Sequence, residues 1–364
     1  MNARNAQLNH LGQRLWLDNI TRELLASGTL GRYIAELSVT GLTSNPTIFE
    51  HAISSGTAYD HAILNLTASG LSDEGIFFEL ALADLRQAAD LFRPIFDTTS
   101  GLDGWVSLEV SPLFANDTAH TIKTAVELHT RAARANLFIK IPGTPAGIPA
   151  IEQSIFNGVP INVTLLFSRE HYVAAAEAYM RGIERRIEAG LEPRVESVAS
   201  LFVSRWDAAV KDDVAPPLQN RLGIAMAMRT YQAYRELLAS ARWQKLAAAG
   251  ARPQRLLWAS TGGKDPAVRD TLYIEALAAP GTINTIPEKT LLAFADHGLV
   301  GSPLPADGGY ADAVIDEFRR EGIDDEALAA RLQREGVDAF AKSWHQLMLR
   351  IREKSSRISP TSLA

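Results

Sequence analysis

The 364-residue sequence contains no cysteine. This absence excludes disulfides, zinc sites built on thiolates and cysteine nucleophiles. It is compatible with a reducing compartment, where proteins do not depend on disulfides for stability. The composition, 46% hydrophobic and 21% charged, is typical of a globular protein. A chain of this length can therefore be stabilised by a hydrophobic core alone.

Basic stripes and long apolar segments are also missing. The 36 Lys and Arg residues are scattered among 42 Asp and Glu residues, which gives a net charge of −6. Because nucleic-acid binding depends on clustered positive charge, no nucleic-acid partner is expected. No run approaches the roughly 18 apolar residues of a membrane span. Residues 1–14 lack the apolar core of a signal peptide. We therefore expect a cytoplasmic protein without a membrane partner.

Metal-binding patterns are absent from the sequence. No histidine lies at ligand spacing from another ligand, and no acidic cluster typical of a magnesium site is present. Five of the eight histidines are interpreted as loop or helix-surface residues: His10, His51, His120, His171 and His297. Neither a metal nor another cofactor is expected.

Eight short, β-rich runs alternate with longer, helix-like stretches. Several runs are almost continuously apolar, as in parallel strands that are covered on both faces. The predicted strands are Leu15–Ile20, Val39–Ser44, Val106–Val110, Leu137–Ile141, Ile161–Phe167, Glu196–Val203, Arg255–Thr261 and Ile283–Ile286. Eight alternations without a break in composition predict an α/β protein with a (β/α)8 (TIM) barrel. An open, doubly wound sheet is the alternative.

Helices are predicted between and after these strands. Residues 45–104 are long for one connection and are expected to hold two or three helices, including Ser72–Phe92. Two more helices are predicted at Ser168–Ala189 and Arg221–Ala249. After the last strand the predicted helices are Glu288–Asp296, Ala311–Glu321, Asp325–Glu335 and Val337–Ser355. We interpret residues 288–364 as a C-terminal helical extension packed on the barrel, within one domain that spans residues 1–364.

Lys140 lies near the end of the apolar strand Leu137–Ile141. Active sites of such barrels lie at the carboxyl ends of the strands. Burial among apolar residues disfavours the ammonium form, and the neutral amine is the nucleophile that attacks a ketone to form an iminium. The iminium then withdraws electrons from the neighbouring carbon–carbon bond. The alternative is a structural lysine that extends to solvent or pairs with a carboxylate.

Asp18 and Glu109 are carboxylates within apolar strands. Each must be paired, protonated or directed into the barrel, because an isolated buried charge is costly. Together with Lys140 they supply the proton transfers of aldol chemistry, at a sugar hydroxyl and at the carbinolamine. A structural ion pair with Lys140 is the alternative for either carboxylate.

Polar residues also lie near the ends of the second and fifth strands. Asn45 ends the second strand, although Asn-Pro is also an ordinary turn. Asn162 and Thr164 lie in the fifth strand, and all three residues are expected to orient substrate hydroxyls, Lys140 or a water molecule.

An anion site is predicted after the sixth and seventh strands. Arg205 and the hydroxyl of Ser200 suit a phosphate group. The segment Ser260–Lys264 adds a glycine-rich turn and a second cation, although a surface turn would have the same composition.

These segments together resemble the transaldolase family. The motifs follow one another in family order from about residue 11 to residue 297: Leu15-Trp-Leu-Asp18, Gly41-Leu-Thr-Ser-Asn-Pro-Thr47, Val106-Ser-Leu-Glu-Val-Ser111, Phe138-Ile-Lys-Ile-Pro142, Ile161-Asn-Val-Thr-Leu-Leu-Phe167 and Ser200-Leu-Phe-Val-Ser-Arg205. Tryptophan before Asp18 and the long C-terminal region resemble a bacterial subfamily that is sometimes fused to glucose-6-phosphate isomerase. Nothing in the 364 residues resembles that second enzyme.

The resemblance implies a metal-free Schiff-base enzyme of the pentose phosphate pathway. It would transfer a dihydroxyacetone unit from fructose 6-phosphate or sedoheptulose 7-phosphate to erythrose 4-phosphate or glyceraldehyde 3-phosphate. Lys140 matches the Schiff-base lysine, Asp18 the acid/base group at the C4 hydroxyl, and Glu109 the carboxylate that assists imine formation through a water molecule.

The resemblance also assigns the remaining site residues. Residues that match the polar surroundings of the covalent intermediate are Asn45, Asn162, Thr164 and Ser200, and Arg205 matches the phosphate-binding arginine. In shorter family members an arginine closely follows the Ala-Ser after the seventh strand, whereas this chain has Ala259-Ser-Thr-Gly-Gly-Lys264. We expect Ser260 and Lys264 to supply this second contact.

Two other functions remain open at this point. One is a related lyase that releases free dihydroxyacetone, and the other is a non-catalytic barrel that binds sugar phosphates. The expected oligomeric state is a monomer or a homodimer.

Overall fold

The protein forms a closed barrel of eight parallel strands in sequential order. The computed structural model describes residues 2–263 and 265–357. Each strand pairs with the next one, and β8 pairs with β1. The strands are β1 Arg14–Asp18, β2 Val39–Thr43, β3 Trp105–Glu109, β4 Leu137–Pro142, β5 Ile161–Leu166, β6 Ser197–Phe202, β7 Arg255–Ala259 and β8 Ile283–Ile286. The predicted TIM barrel is confirmed, and the open doubly wound sheet is excluded.

Large side chains fill the amino-terminal half of the barrel. Trp105 stacks on Phe138 at 4.1 Å between ring centroids, and Trp16 lies 6.1 Å from the same ring. A side chain at Gly41 would meet Trp16, because its Cβ would lie 2.6 Å from the indole Nε1. Glycine on β2 therefore makes room for the tryptophan.

The same alternation places polar residues in the upper half. Side chains two positions apart on a strand share a face. Asp18 lies two residues after Trp16, Lys140 two residues after Phe138, and Glu109 four residues after Trp105. These three residues therefore point into the barrel above the aromatic layer, toward its carboxyl end.

Sixteen helices surround the strands in the described ranges. They are α1 Ala3–Leu11, α2 Arg22–Ala26, α3 Thr29–Leu37, α4 Pro46–Ser54, α5 Asp60–Ala68, α6 Asp73–Thr98, α7 Thr118–Ala132, α8 Gly147–Phe156, α9 Arg169–Glu188, α10 Ser204–Val210, α11 Leu222–Ala239, α12 Ala241–Ala248, α13 Leu272–Ala276, α14 Glu288–His297, α15 Ala311–Arg320 and α16 Asp325–Arg357. Residues 45–104 hold three of them, as expected.

Two helix predictions were wrong. The segment Arg221–Ala249 is broken at Ser240, whose extended backbone (ψ 145°) ends α11 while its side chain caps α12. Conversely, Asp325–Glu335 and Val337–Ser355 form one helix, α16, because Gly336 continues the helical backbone. A glycine inside a helix costs only about 1 kcal/mol relative to alanine, which tertiary packing can offset.

The helix α16 crosses the carboxyl-terminal side of the barrel. It packs against α4, α5 and α6, the short 3-10 helix Pro112–Phe114, and β5. This helix, one part of the predicted extension, therefore lies over the strand ends where the polar residues gather, whereas residues 358–364 lie outside the described residues. Among residues 2–263 and 265–357, no helix is both long and apolar enough to cross a membrane.

Candidate active site

Lys140 lies at the centre of the barrel mouth. Its Nζ donates hydrogen bonds to Glu109 Oε2 at 3.2 Å and to the backbone oxygen of Ser44 at 3.1 Å. Only 5% of the residue is exposed. The lysine therefore does not extend to bulk solvent, and it does pair with a carboxylate, as the structural alternative requires. Its amine also lines a pocket, which a purely structural ion pair does not need.

The pocket collects most of the predicted site residues. Seven of them line it: Asp18, Asn45, Lys140, Thr164, Ser200, Arg205 and Ser260. Glu109 and Asn162 are buried behind this wall, each in contact with another site residue. Lys264, the expected second phosphate cation, lies outside the described residues.

Asp18 accepts a hydrogen bond from Thr43 Oγ1 at 2.8 Å. Thr43 Oγ1 also lies 2.6 Å from Thr285 Oγ1. Because the Thr43 hydroxyl donates its hydrogen bond to Asp18, the Thr285 hydroxyl is the donor in the bond between the two threonines. Burial raises the pKa of Asp18, while Lys140 and the Thr43 hydroxyl act in the opposite direction. An acid with a raised pKa that opens on a pocket can exchange a proton with a ligand.

Glu109 is the carboxylate bonded to Lys140. Burial raises its pKa, and the charge of Lys140 and their hydrogen bond oppose that shift. Asp18 adds a smaller increase through charge repulsion. Two carboxylates thus share one lysine in a desolvated space, an arrangement that favours proton transfer among the three groups.

A hydrogen-bond chain fixes Ser200 and Asn162. Ser200 Oγ donates to Asn162 Oδ1 at 2.7 Å, and Asn162 Nδ2 donates to Ser107 Oγ at 3.1 Å. Ser44 Oγ donates to the backbone oxygen of Ser107 at 2.8 Å. Asn162 therefore orients a pocket residue from below and does not itself line the pocket.

Asn45 both forms a turn and lines the pocket. Its Oδ1 accepts the backbone N–H of Ile48 at 3.1 Å, which caps α4. The same residue lines the pocket beside Lys140. The turn geometry therefore places the asparagine at the site.

Thr164 presents a buried hydroxyl that has no hydrogen-bond partner among the described residues. Its register partner on β4 is Pro142, two residues beyond Lys140. Buried polar atoms are ordinarily paired, so the missing partner makes this hydroxyl, on a pocket-lining residue, a candidate contact for a ligand.

Arg205 closes the opposite wall of the pocket. Its guanidinium lies 4.9 Å from the Phe202 ring centroid and 5.9 Å from that of Phe340. Burial lowers the pKa of Arg205, whereas Glu109 and Glu335 raise it. Within the described part of the chain, no carboxylate lies within ion-pair distance of this guanidinium. A half-buried, unpaired arginine that lines a pocket suits an anionic group.

Ser260 belongs to the same wall. Ser204 N–H donates to the backbone oxygen of Ser260 at 3.0 Å, and the two hydroxyl oxygens are also 3.0 Å apart. These contacts join the ends of β6 and β7, so Arg205 and Ser260 face one space.

Comparisons with known proteins agree with this geometry. A family model described as Transaldolase/Fructose-6-phosphate aldolase matches residues 15–351. A protein named Transaldolase from Thermobifida fusca (strain YX) is 44% identical over 357 residues, covering 96% of this chain and 97% of that protein. Transaldolase 2 from Streptomyces coelicolor is 41% identical and covers 98% of both chains.

The chain belongs to the transaldolase/fructose-6-phosphate aldolase family. A third relative, named Transaldolase, from Saccharopolyspora erythraea is 43% identical over 360 residues, covering 97% of this chain and 98% of that protein. The predicted family and the predicted enzyme class, a transaldolase, are confirmed.

Several residues of the transaldolase pocket were not predicted. Thr43, Thr285, Phe202 and Phe340 line it, and Ser107 supports it from below. The motif around Asn45 contains Thr43, and period-two spacing from Glu109 would have found Ser107. No sequence signal marks Phe340, because its position depends on how α16 packs.

Proposed function

We propose that this transaldolase transfers a dihydroxyacetone unit through an imine on Lys140. The donor is a ketose phosphate, fructose 6-phosphate or sedoheptulose 7-phosphate. The acceptor is an aldose phosphate, erythrose 4-phosphate or glyceraldehyde 3-phosphate. The observation that carries the proposal is the 3.2 Å contact of Glu109 with Lys140, a lysine that lines one pocket with Asp18 and Arg205.

In the first step Lys140 attacks the ketone. Glu109 is placed to take the proton from the ammonium group, and the neutral Nζ then adds to the C2 carbonyl. Protonated Glu109 returns its proton to the carbinolamine oxygen, directly or through a water molecule. Water leaves, and a protonated imine remains on Lys140.

In the second step the carbon–carbon bond breaks. Asp18 removes the proton of the C4 hydroxyl, and the C3–C4 bonding electrons move into the iminium. An aldose phosphate leaves, and the three-carbon enamine stays bound to Lys140. The acceptor aldehyde then enters, the enamine attacks it, and protonated Asp18 gives its proton to the new hydroxyl.

Arg205 holds the phosphate in this proposal. Donors and acceptors share a terminal phosphate, so one anion site can serve both half-reactions. The unpaired guanidinium and the hydroxyl of Ser260 on one wall support this assignment.

The test is a transfer assay with fructose 6-phosphate and erythrose 4-phosphate. We expect sedoheptulose 7-phosphate and glyceraldehyde 3-phosphate to form, and we expect the Lys140→Arg variant to be inactive because a guanidinium cannot form the imine. Absence of product with the wild-type protein, or substantial turnover by the variant, would overturn the proposal.

A second candidate is the aldolase activity that the family description also names. In that reaction water releases the three-carbon unit as free dihydroxyacetone. Equal rates of dihydroxyacetone release with and without an aldose phosphate acceptor would favour the aldolase. The relatives from Thermobifida fusca and Saccharopolyspora erythraea are named Transaldolase and the one from Streptomyces coelicolor Transaldolase 2, which favours transfer.

We further propose a cytoplasmic location and a monomeric or homodimeric state. Both are predictions from the sequence, and the absence of cysteine is compatible with the reducing cytoplasm. Light scattering on the purified protein tests the second, and a mass above that of a dimer would contradict it.

A further inference from the structure

We propose that Gln333, on the C-terminal helix α16, is a positioning residue that holds Thr164 in place for the chemistry at Lys140. The inference rests on the proposed function. It concerns a residue 169 positions further along the chain than Thr164, on an element outside the barrel.

The strand β5 changes course directly after Thr164. Leu165 has a φ of 57°, a left-handed conformation that is uncommon for a residue with a side chain. The pairing of β5 with β6 shifts register between Val163 and Leu166. Side chains alternate up to Thr164, and Leu165 then joins the cluster that contains Leu332 and Phe340 of α16. A local conformation of this kind persists only where the surroundings hold it.

Gln333 supplies that support. Its Nε2 donates to the backbone oxygen of Leu165 at 3.0 Å and to that of Gly143 at 3.0 Å. Gly143 N–H in turn donates to the backbone oxygen of Thr164 at 2.8 Å. One buried amide therefore joins the ends of β4 and β5, the two strands that carry Lys140 and Thr164.

Gly336 brings the helix close enough for these bonds. A Cβ at this position would lie 2.8 Å from Leu165 Cδ2 and 3.3 Å from Arg205 Nη1. Leu165 is only 1% exposed, so it has little room to move aside. The glycine therefore allows α16 to approach both Leu165 and the proposed phosphate-binding arginine.

Gln333 thus holds in place the backbone next to the unpaired hydroxyl of Thr164. Thr164 lines the pocket with Lys140, so the position of its hydroxyl matters to the proposed reaction. Rotation of the Leu165 peptide would move it. Misplacement of a reacting group by about 1 Å can cost roughly 100-fold in rate.

The test is the variant Gln333→Met, which keeps the side-chain length and removes both donors. We expect kcat to fall by about 10- to 100-fold while KM for fructose 6-phosphate changes by less than about threefold. Arg334→Met is the matched control, because it also introduces a methionine, at the adjacent, exposed position of α16. We expect it to keep wild-type kcat. If Gln333→Met does not fold, Gln333→Asn replaces it, since the shorter amide cannot reach both oxygens.

A double-mutant cycle with Thr164→Val separates positioning from general damage. If Gln333 acts through Thr164, Gln333→Met will change kcat little in the Thr164→Val background. Losses that multiply, or a Gln333→Met enzyme with kcat within about twofold of wild type, would overturn the inference. Inactivity of the wild-type protein would instead count against the proposed function, so the two failures are distinguishable.

Discussion

The barrel mouth and a junction of three outer helices each hold an aspartate whose pKa is raised by burial, and the two aspartates differ in access. Asp18 lies in the barrel mouth, with one oxygen bonded to Thr43 and its side chain lining the pocket. Asp207 lies where α10, α11 and α13 meet, and burial raises its pKa to about 6. Gly223 N–H donates to one of its oxygens at 3.1 Å, and Tyr273 OH donates to the other at 2.8 Å.

Access therefore separates a proposed catalytic acid from a structural one, and the pKa shift alone does not. Asp207 has both oxygens occupied by groups that tie three helices together. A Cβ at Gly223 would lie only 2.7 Å from Asp207 Oδ2, so no ligand can enter there. Asp18 has an accessible side and a lysine nearby, which a proton-transfer group needs.

The same substitution in both regions tests whether access to the pocket decides the role of the aspartate. Asp18→Asn is expected to lower kcat by about 10²- to 10⁴-fold, the usual loss when a general acid or base is removed. Asp207→Asn is expected to keep kcat within about threefold, because it touches no substrate. Steady-state kinetics on both variants check this. Similar losses in the two would show that pocket access is not the deciding property.

Arg205→Ala tests the proposed phosphate contact in the barrel mouth. Hydrogen bonds to a charged group contribute about 1.5–3 kcal/mol. Their loss corresponds to roughly a 10- to 100-fold increase in KM for phosphorylated substrates. Unphosphorylated ketoses should be much less affected. The measurement is KM for fructose 6-phosphate and for fructose, with Arg205→Lys as the conservative control. An equal loss for both sugars would assign Arg205 a structural role.

The smallest expected effect concerns stability at Asp207. Its pKa of about 6 in the folded protein exceeds the ordinary value of 3.8. The folded state therefore binds the proton more tightly than the unfolded state between these values. Stability contributed by the protonated acid is present below pH 4 and is lost as the pH rises through 6.

Denaturant unfolding between pH 4 and pH 7 tests this sign. The free energy of unfolding of the wild type minus that of Asp207→Asn should fall with rising pH, by an amount on the order of 1–3 kcal/mol. A difference that rises with pH would show that the network of Gly223 and Tyr273 stabilises the charged form more than burial destabilises it.

Local sequence predicts the barrel well because each strand is covered on both faces. The predicted strand Ile283–Ile286, which is buried along its whole length, begins and ends where β8 does. Helix ends that depend on a single residue were predicted less well. Ser240 caps a new helix and Gly336 continues one, and the difference comes from what packs around each residue.

The candidate site likewise contains residues that the sequence reveals and residues that only the packing reveals. Lys140, Asp18 and Glu109 were predicted because a charge in an apolar strand is costly and calls for an explanation. Gln333 and Phe340 carry no such signal, since a glutamine and a phenylalanine are ordinary on an amphipathic helix. Their importance arises only when α16 lies across the barrel mouth.

The most direct test of the central claim is chemical trapping of the covalent intermediate. The protein is incubated with fructose 6-phosphate and borohydride, digested, and examined by mass spectrometry. We predict a reduced three-carbon adduct on the peptide that contains Lys140, and none on the Lys140→Met variant. An adduct on another lysine, or no adduct under conditions of turnover, would contradict the assignment of Lys140 as the nucleophile.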